Sequence, residues 1–398
     1  MADYVVTGAT LIDGTGAEPV ANAALFVHDG RVAWAGPMNQ LPAEVRKADE
    51  VDAAGRWVIP GLIDAHVHIC WNGRESVLDL IHRDRDLIIL EAVDTVRRIL
   101  ETGTTTVRDI GGHDYVEMSI RKAITAGHIA GPRMRTSGKV IAMTGGHAYF
   151  IAREADGPDD VRRAAREQIK AGADTVKLMA TGGAATPGQD VMASQLTVEE
   201  LAAAVGAAHA MGRTVATHCH GTGGIKNSVL AGVDSIEHGT YLDEETADLM
   251  VERGTALVLT QGVARPDPDK VPPGQQAEYE RLEKIFDALT ERTRQSIQIA
   301  REKGVLIGSG TDAGGNALAP HDFSMARELE CLVEGGFTPL KALTIVTRNN
   351  AGILRWTNEL GTLEPGKLAD FVILNADPLD NIRNVRQIHA VYKGGTRI

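Results

Sequence analysis

The sequence predicts an α/β fold: a (β/α)8 TIM barrel inserted into a small β-sandwich that is built from both chain ends. Three observations point to it. From Val58 onward, eight short apolar runs alternate with amphipathic stretches, the rhythm of βα units on a parallel sheet. Before that point, and again after residue 362, the chain reads as short strands and turns. Histidines, a lysine and an aspartate sit in or just past several of the apolar runs, at the strand ends where a barrel gathers its polar groups.

Bulk properties narrow the class. The chain has 398 residues, 43% of them hydrophobic, enough for a large core, and a barrel often uses about 250 residues as one unit. No apolar run reaches 18 residues, so no membrane span is expected. The start, "MADYVVTGATLIDG", lacks the basic and apolar regions of a secretory signal. Three cysteines, Cys70, Cys219 and Cys331, are too few and too odd for a disulfide scaffold, and they fit a reducing, cytoplasmic setting. A net charge of −12 without a basic cluster excludes a nucleic-acid footprint. The expected partner is a small-molecule substrate, and the chain is expected to form a homo-oligomer.

The head, residues 1–57, contains "YVVTGATLID", "AALFVHDGRVAWAG" and "EVDAAGRWVI". Asp29-Gly30 between two apolar runs signals a tight hairpin. The barrel, residues 58–362, holds strands expected at 58–66, 104–110, 136–143, 173–180, 213–219, 233–238, 255–260 and 304–311. Helical patterns separate them, as in "SVLDLIHRDRDLIILEAVDTVRRILETG" and "TVEELAAAVGAAHAMG". The second opens on Thr197 with Glu200 three residues on, a capping-box pattern. The tail, residues 363–398, returns to strands and turns and pairs with the head. An open doubly wound sheet is the alternative, weakened by the lack of a G-x-G-x-x-G after the first strand.

The chemistry concentrates at strand ends. In "VIPGLIDAHVHICWNG", His66 and His68 are two apart, so an extended chain turns them to one face, where both imidazoles can meet one metal ion. Lys177 lies inside the apolar run of "ADTVKLMATGG", His218 ends "TVATH", His238 ends "VDSIEH", and Asp312 follows "VLIGSGT". Each has a bland reading alone, as core histidine, buried lysine or turn cap. Together they place metal-capable residues on several independent strands.

"PGLIDAHVH", "VKL", "HCHG", "IEHG" and "GTDAG", in this order, resemble the metal-dependent amidohydrolase superfamily. "LIDGTG" and "LGTLEPGKLADFVIL" resemble the β-sandwich of the same superfamily. The branch most similar holds binuclear-zinc prolidase-like dipeptidases, Xaa-Arg/Lys carboxypeptidases and ochratoxin-type amidases. The resemblance implies two Zn²⁺ per chain. His66, His68 and Asp312 would hold one, His218 and His238 the other, and a carboxylated Lys177 would bridge them. Carboxylation needs a neutral amine, which an apolar strand favours by desolvation. Asp312 would then move the proton between water and leaving amine.

The same resemblance gives His147, in "MTGGHAYF", a substrate-facing, carbonyl-stabilising role, and Tyr241 a substrate contact. His220 shares the face of His218 and is a candidate substrate contact, not a ligand. Arg265, in "GVARPDPDKVPPG", is a candidate clamp for a carboxylate. Cys219 reads as core, and Cys70 reaches the site only if its strand continues. The implied activity is cleavage of an amide or peptide bond, releasing the C-terminal residue of dipeptides or N-acyl amino acids. The alternatives are a cyclic amide hydrolase (imidazolonepropionase-like), a lactonase or phosphotriesterase on the same metal site, and an inactive structural homologue.

Overall fold

The structure is a computed structural model, describing residues 3–45, 48–75, 77–263, 274, 276–316, 319–322 and 324–398. Its strands are β1 (Tyr4–Leu11), β2 (Val20–His28), β3 (Arg31–Pro37), β4 (Asp49–Asp52), β5 (Trp57–Pro60), β6 (Leu62–Val67), β7 (Thr104–Asp109), β8 (Arg133–Thr136) and β9 (Ile141–Ala142). Then follow β10 (Arg153–Glu154), β11 (Thr175–Met179), β12 (Thr214–Cys219), β13 (Ser235–His238), β14 (Ala256–Leu259), β15 (Ile307–Ser309), β16 (Phe371–Leu374), β17 (Ile388–Lys393) and β18 (Thr396–Arg397).

Head and tail join in one eight-stranded sheet, in the order β18-β17-β16-β5-β1-β2-β3 with β4 against β1. The β2–β3 hairpin turns at Asp29 and Gly30, both with positive φ, 45° and 73°, as its dipeptide demands. The centre of the chain forms parallel strands, β6-β7-β8 and β10-β9-β11-β12-β13-β14-β15. Links between these groups include a bridge between Val67 and Ala313 and a hydrogen bond from the Asp174 amide to the Thr136 carbonyl, 2.8 Å. Helices separate the parallel strands. Thr197 caps the helix Val198–His209 in a capping box with Glu200, as its sequence predicts. Apolar faces of these helices and the parallel strands share a core that includes Val176, Leu178, Leu201, Val215, Ile236 and Leu257.

Two expected strands are divided. The run 58–66 becomes β5, which belongs to the terminal sheet, and β6, which begins the parallel one. Gly61 is the hinge: a Cβ there would lie 2.2 Å from Thr105 Oγ1, so only glycine lets β6 dock on β7. The run 136–143 becomes β8 and β9, with Gly138 between them at a left-handed φ of 76°, far from the extended backbone of a regular strand. The helical stretch after Ser76 is likewise split, and its longer part, Arg85–Glu101, starts on an Asp84 cap.

Candidate metal centre

The parallel strands aim their C-terminal ends at one place. His66 and His68 leave β6 on the same face. Their Nε2 atoms both face Asp312 Oδ1, at 3.4 and 3.2 Å. The backbone fixes this corner, since the Asp312 amide donates to the His66 carbonyl at 2.7 Å and the His68 amide to the Ala313 carbonyl at 3.0 Å. Gly310 makes the approach possible, because a Cβ there would meet the His66 nitrogen at 2.3 Å. Lys177 rises from β11 and is 1% exposed. His218 and His220 come from the end of β12, and His238 from the end of β13.

Six imidazoles pack here: His66, His68, His147, His218, His220 and His238 lie in successive pairs with ring centroids 4.3–5.4 Å apart. Each has one nitrogen fixed from behind. His66 Nδ1 meets Glu237 Oε2 at 2.9 Å, and His68 Nδ1 meets the Gly111 carbonyl at 3.1 Å. His218 Nε2 meets the Gly182 carbonyl at 3.2 Å. Threonine hydroxyls hold the other three Nδ1 atoms: Thr186 for His147, Thr240 for His220 and Thr260 for His238, at 2.9, 2.8 and 2.7 Å. The remaining nitrogens turn toward the shared centre, those of His66 and His68 toward Asp312, an arrangement typical of metal-binding histidines.

Protonation follows burial. Burial, reinforced by neighbouring imidazoles, holds His218 and His238 well below the ordinary histidine range. The same causes bring His147 down to about 3, and burial brings His220 to about 4. These rings are neutral, with lone pairs to offer. Burial lowers the Lys177 ammonium to about 8 against the opposing charges of Glu237 and Asp312. Burial alone would raise the Asp312 carboxyl, but His66 and His68 outweigh it and keep it ionised.

This donor set fits divalent cations. One candidate atom from each of His218, His220 and His238 lies within 4.8 Å of the others, and the same holds for His66, His238 and Asp312. His238 belongs to both groups, as the shared wall of two neighbouring positions would. His220, expected only as a substrate contact, stands in the same donor group as His218 and His238.

The other expectations divide. His147 is in the ring cluster, placed by a loop whose amide meets Gln195 Oε1 at 2.8 Å. Tyr241 is tied to the site through its amide, which donates to the His220 carbonyl at 3.0 Å, while its ring lies 5.9 Å from the Arg292 guanidinium. Arg265 lies outside the described residues. Cys70 follows the end of β6 and is buried with Trp71 in an apolar cluster, and Cys219 points away to Ser228, 3.4 Å off.

The sequence reading missed what lies beneath. Arg108, Glu237 and Asp64 are buried. Asp64 Oδ1 accepts the amides of His66 and Thr311, each at 3.0 Å, and Oδ2 accepts the Thr311 hydroxyl at 2.7 Å. Burial raises this carboxyl to about 6 despite those bonds. Glu237 precedes His238 directly, so ordinary strand alternation would send the two to opposite faces. A left-handed φ of 71° at His238 breaks the alternation and turns both inward; Asp312, with φ 53°, is set the same way. Such conformations persist where the surrounding structure holds them in place.

The profile of the amidohydrolase family matches residues 57–398. Ochratoxinase from Aspergillus niger is 31% identical over 98% of this chain and 85% of its own. Imidazolonepropionase from Agrobacterium fabrum is 26% identical over 96% and 92%. The crystal structure of a Xaa-Pro dipeptidase with methionine bound in the active site superposes with a TM-score of 0.88 at 31% identity, both chains covered in full. That of A. niger ochratoxinase gives 0.87 at 29%, covering 100% of this chain and 95% of the other. The chain belongs to the amidohydrolase family, in the branch of ochratoxinase and the prolidase-like dipeptidases, and is a hydrolase of amide bonds.

Proposed function

We propose that the enzyme is a binuclear zinc hydrolase that releases the C-terminal residue of dipeptides or N-acyl amino acids. His66, His68 and Asp312 would hold one zinc, His218 and His238 the other, and Lys177, as a carbamate, would serve as a ligand to both. The buried Lys177 carries this reading. An ammonium among metal ligands would repel a cation, whereas burial that brings it to about 8 leaves a neutral fraction to attack CO₂. The N–C bond forms, the displaced proton leaves to solvent, and the lysine becomes an anionic oxygen ligand. Bound zinc supplies Lewis-acid polarisation of the scissile carbonyl and an acidified water.

The protein's own groups do the rest. The Asp312 carboxylate, kept ionised, accepts the water proton and returns it to the leaving nitrogen. Thr186 Oγ1 already accepts the Ala148 amide at 2.9 Å, so its hydrogen can go to His147 Nδ1, leaving Nε2–H to bind the carbonyl oxygen. The released residue carries a carboxylate, for which His220, Tyr241 and Arg265 are the available donors. We also read the parallel strands as a closed barrel (residues 58–362, apart from the β5 residues 58–60, which pair in the terminal sheet) and the terminal strands as one sandwich domain (1–57 with 363–398). The links between the parallel groups favour closure.

The likeness to imidazolonepropionase favours a cyclic amide as the second reading. One comparison separates them: metal content, with kcat/KM for a matched N-acyl amino acid and its C-terminal amide. The expected result is about two zinc per chain and a preference for the acid of about 100-fold or more, since a site built for a carboxylate rejects its neutral analogue. One zinc per chain and equal rates for acid and amide would overturn the proposal.

A further inference from the structure

The two metal positions are supported unequally from behind. On the His66 side, Nδ1 donates to Glu237 Oε2 at 2.9 Å. Glu237 Oε1 accepts Arg108 Nη2 at 2.8 Å and the Ser235 hydroxyl at 2.6 Å. Arg108 is itself anchored, with Nε on the Ala65 carbonyl at 2.6 Å and Nη1 on Ser235 Oγ at 3.1 Å. His66, Arg108, Ser235 and Glu237 are all buried. On the other side, His238 is backed by the neutral Thr260 hydroxyl and His218 by the Gly182 carbonyl.

These partners differ in strength. A carboxylate behind an imidazole fixes its tautomer and makes the opposite nitrogen a stronger donor to a metal; a hydroxyl does so weakly. Arg108 matters because it occupies Oε1, so that Glu237 presents Oε2 to His66 and does not swing away. It also balances a carboxylate that would otherwise be buried without a counter-charge. The separation of 129 positions between Arg108 and Glu237 shows that the relay exists only once β7 and β13 are in place.

We propose that Glu237, locked by Arg108, is a positioning residue acting through His66, and that it makes the position of His66, His68 and Asp312 the tighter of the two. That position fills first and empties last. The inference rests on the binuclear reading above.

The test is stepwise titration of the metal-free full chain with zinc against a chromophoric chelator, with cobalt(II) absorbance as an independent readout. Wild type should take up metal in two steps, the first at least about tenfold tighter than the second. Glu237→Gln should weaken the first step about 10–100-fold and leave the second within about threefold. Thr260→Val, acting through His238, should weaken the second step more than the first. The pair Arg108→Met with Glu237→Gln removes both buried charges together, so it folds without an orphaned ion and should show the same first-step loss. Melting of the metal-free forms checks a purely structural role, which would lower the melting temperature and leave both affinities unchanged. That outcome, or equal losses at both steps, would overturn the proposal. A wild type that saturates at one zinc would refute the two-metal reading by itself. A loss in that single step on Glu237→Gln would still support the relay.

Discussion

The terminal sheet and the interior beneath the metal centre are both buried, but they are built from opposite materials. The sheet core is apolar: Val6, Leu25, Val58, Ile373 and Phe371, with Phe371 stacked on Tyr392 at 4.3 Å. Its buried Tyr4 hydroxyl has one obvious partner, the Gly395 carbonyl at 2.8 Å. The interior under the histidines instead contains Asp64, Arg108, Asp109, Glu117, Lys177, Glu237 and Glu328, every one buried. Apolar packing stabilises by area and tolerates exchange of shapes. Buried charge seldom stabilises, but it fixes directions. The first region keeps the fold together, and the second holds a few nitrogens and oxygens in one geometry.

That contrast can be broken at its polar end first. Asp312→Asn should keep the fold, since volume hardly changes, and lower kcat about 10²–10⁴-fold because a carboxamide accepts no proton. Circular dichroism and steady-state kinetics check it; normal kcat would remove Asp312 from proton transfer.

A smaller effect is expected at Glu117, next to the centre but outside it. Burial, then the charge of Asp109, raises its carboxyl to about 8 from an ordinary 4.5. Between these values the folded chain keeps a proton that the unfolded chain has lost. Stability therefore falls as pH rises through this window. Glu117→Gln removes the slope, so the variant should gain on wild type as pH rises from about 4.5 to about 8 and keep that gain above it, on the order of a few kcal/mol. Thermal unfolding across pH reads this directly, and parallel curves for the two proteins would rule out a neutral Glu117.

The smallest effect belongs to the apolar region. Phe371→Leu should cost about 1–2 kcal/mol through lost stacking and imperfect fit. It should leave kcat unchanged. Urea titration and kinetics test both halves, and a drop in kcat would mean that the two regions are coupled.

The same contrast explains what could be read from the sequence. His66, His68, Lys177, His218, His238 and Asp312 stood out because each interrupts or ends an apolar run, a local signal. The hairpin at Asp29-Gly30 and the Thr197 cap were legible for the same reason. Arg108 and Glu237 were not, since each looks like an isolated charge in a strand and its partner is distant in sequence. The division at Gly61 was hidden because apolar residues continue on both sides of it, whereas at Gly138 the polar neighbours Ser137 and Lys139 already mark the interruption. His220 was legible as a position but not as a neighbour of His218 and His238, which depends on how β12 and β13 end.

The pairing of β5 with β16 has a consequence for synthesis. Pro60 lies opposite Phe371, so β5 waits for a partner made some three hundred residues later. At 5–20 residues per second that is about 15–60 s. Meanwhile its hold on β1 is two residue pairs, Thr10 with Trp57 and Leu11 with Val58. The nascent chain thus carries an apolar strand with one open edge, an invitation to pairing between neighbouring chains on the same messenger. Slowing translation downstream of the parallel strands should raise aggregation during expression, and supplying chaperone should relieve it.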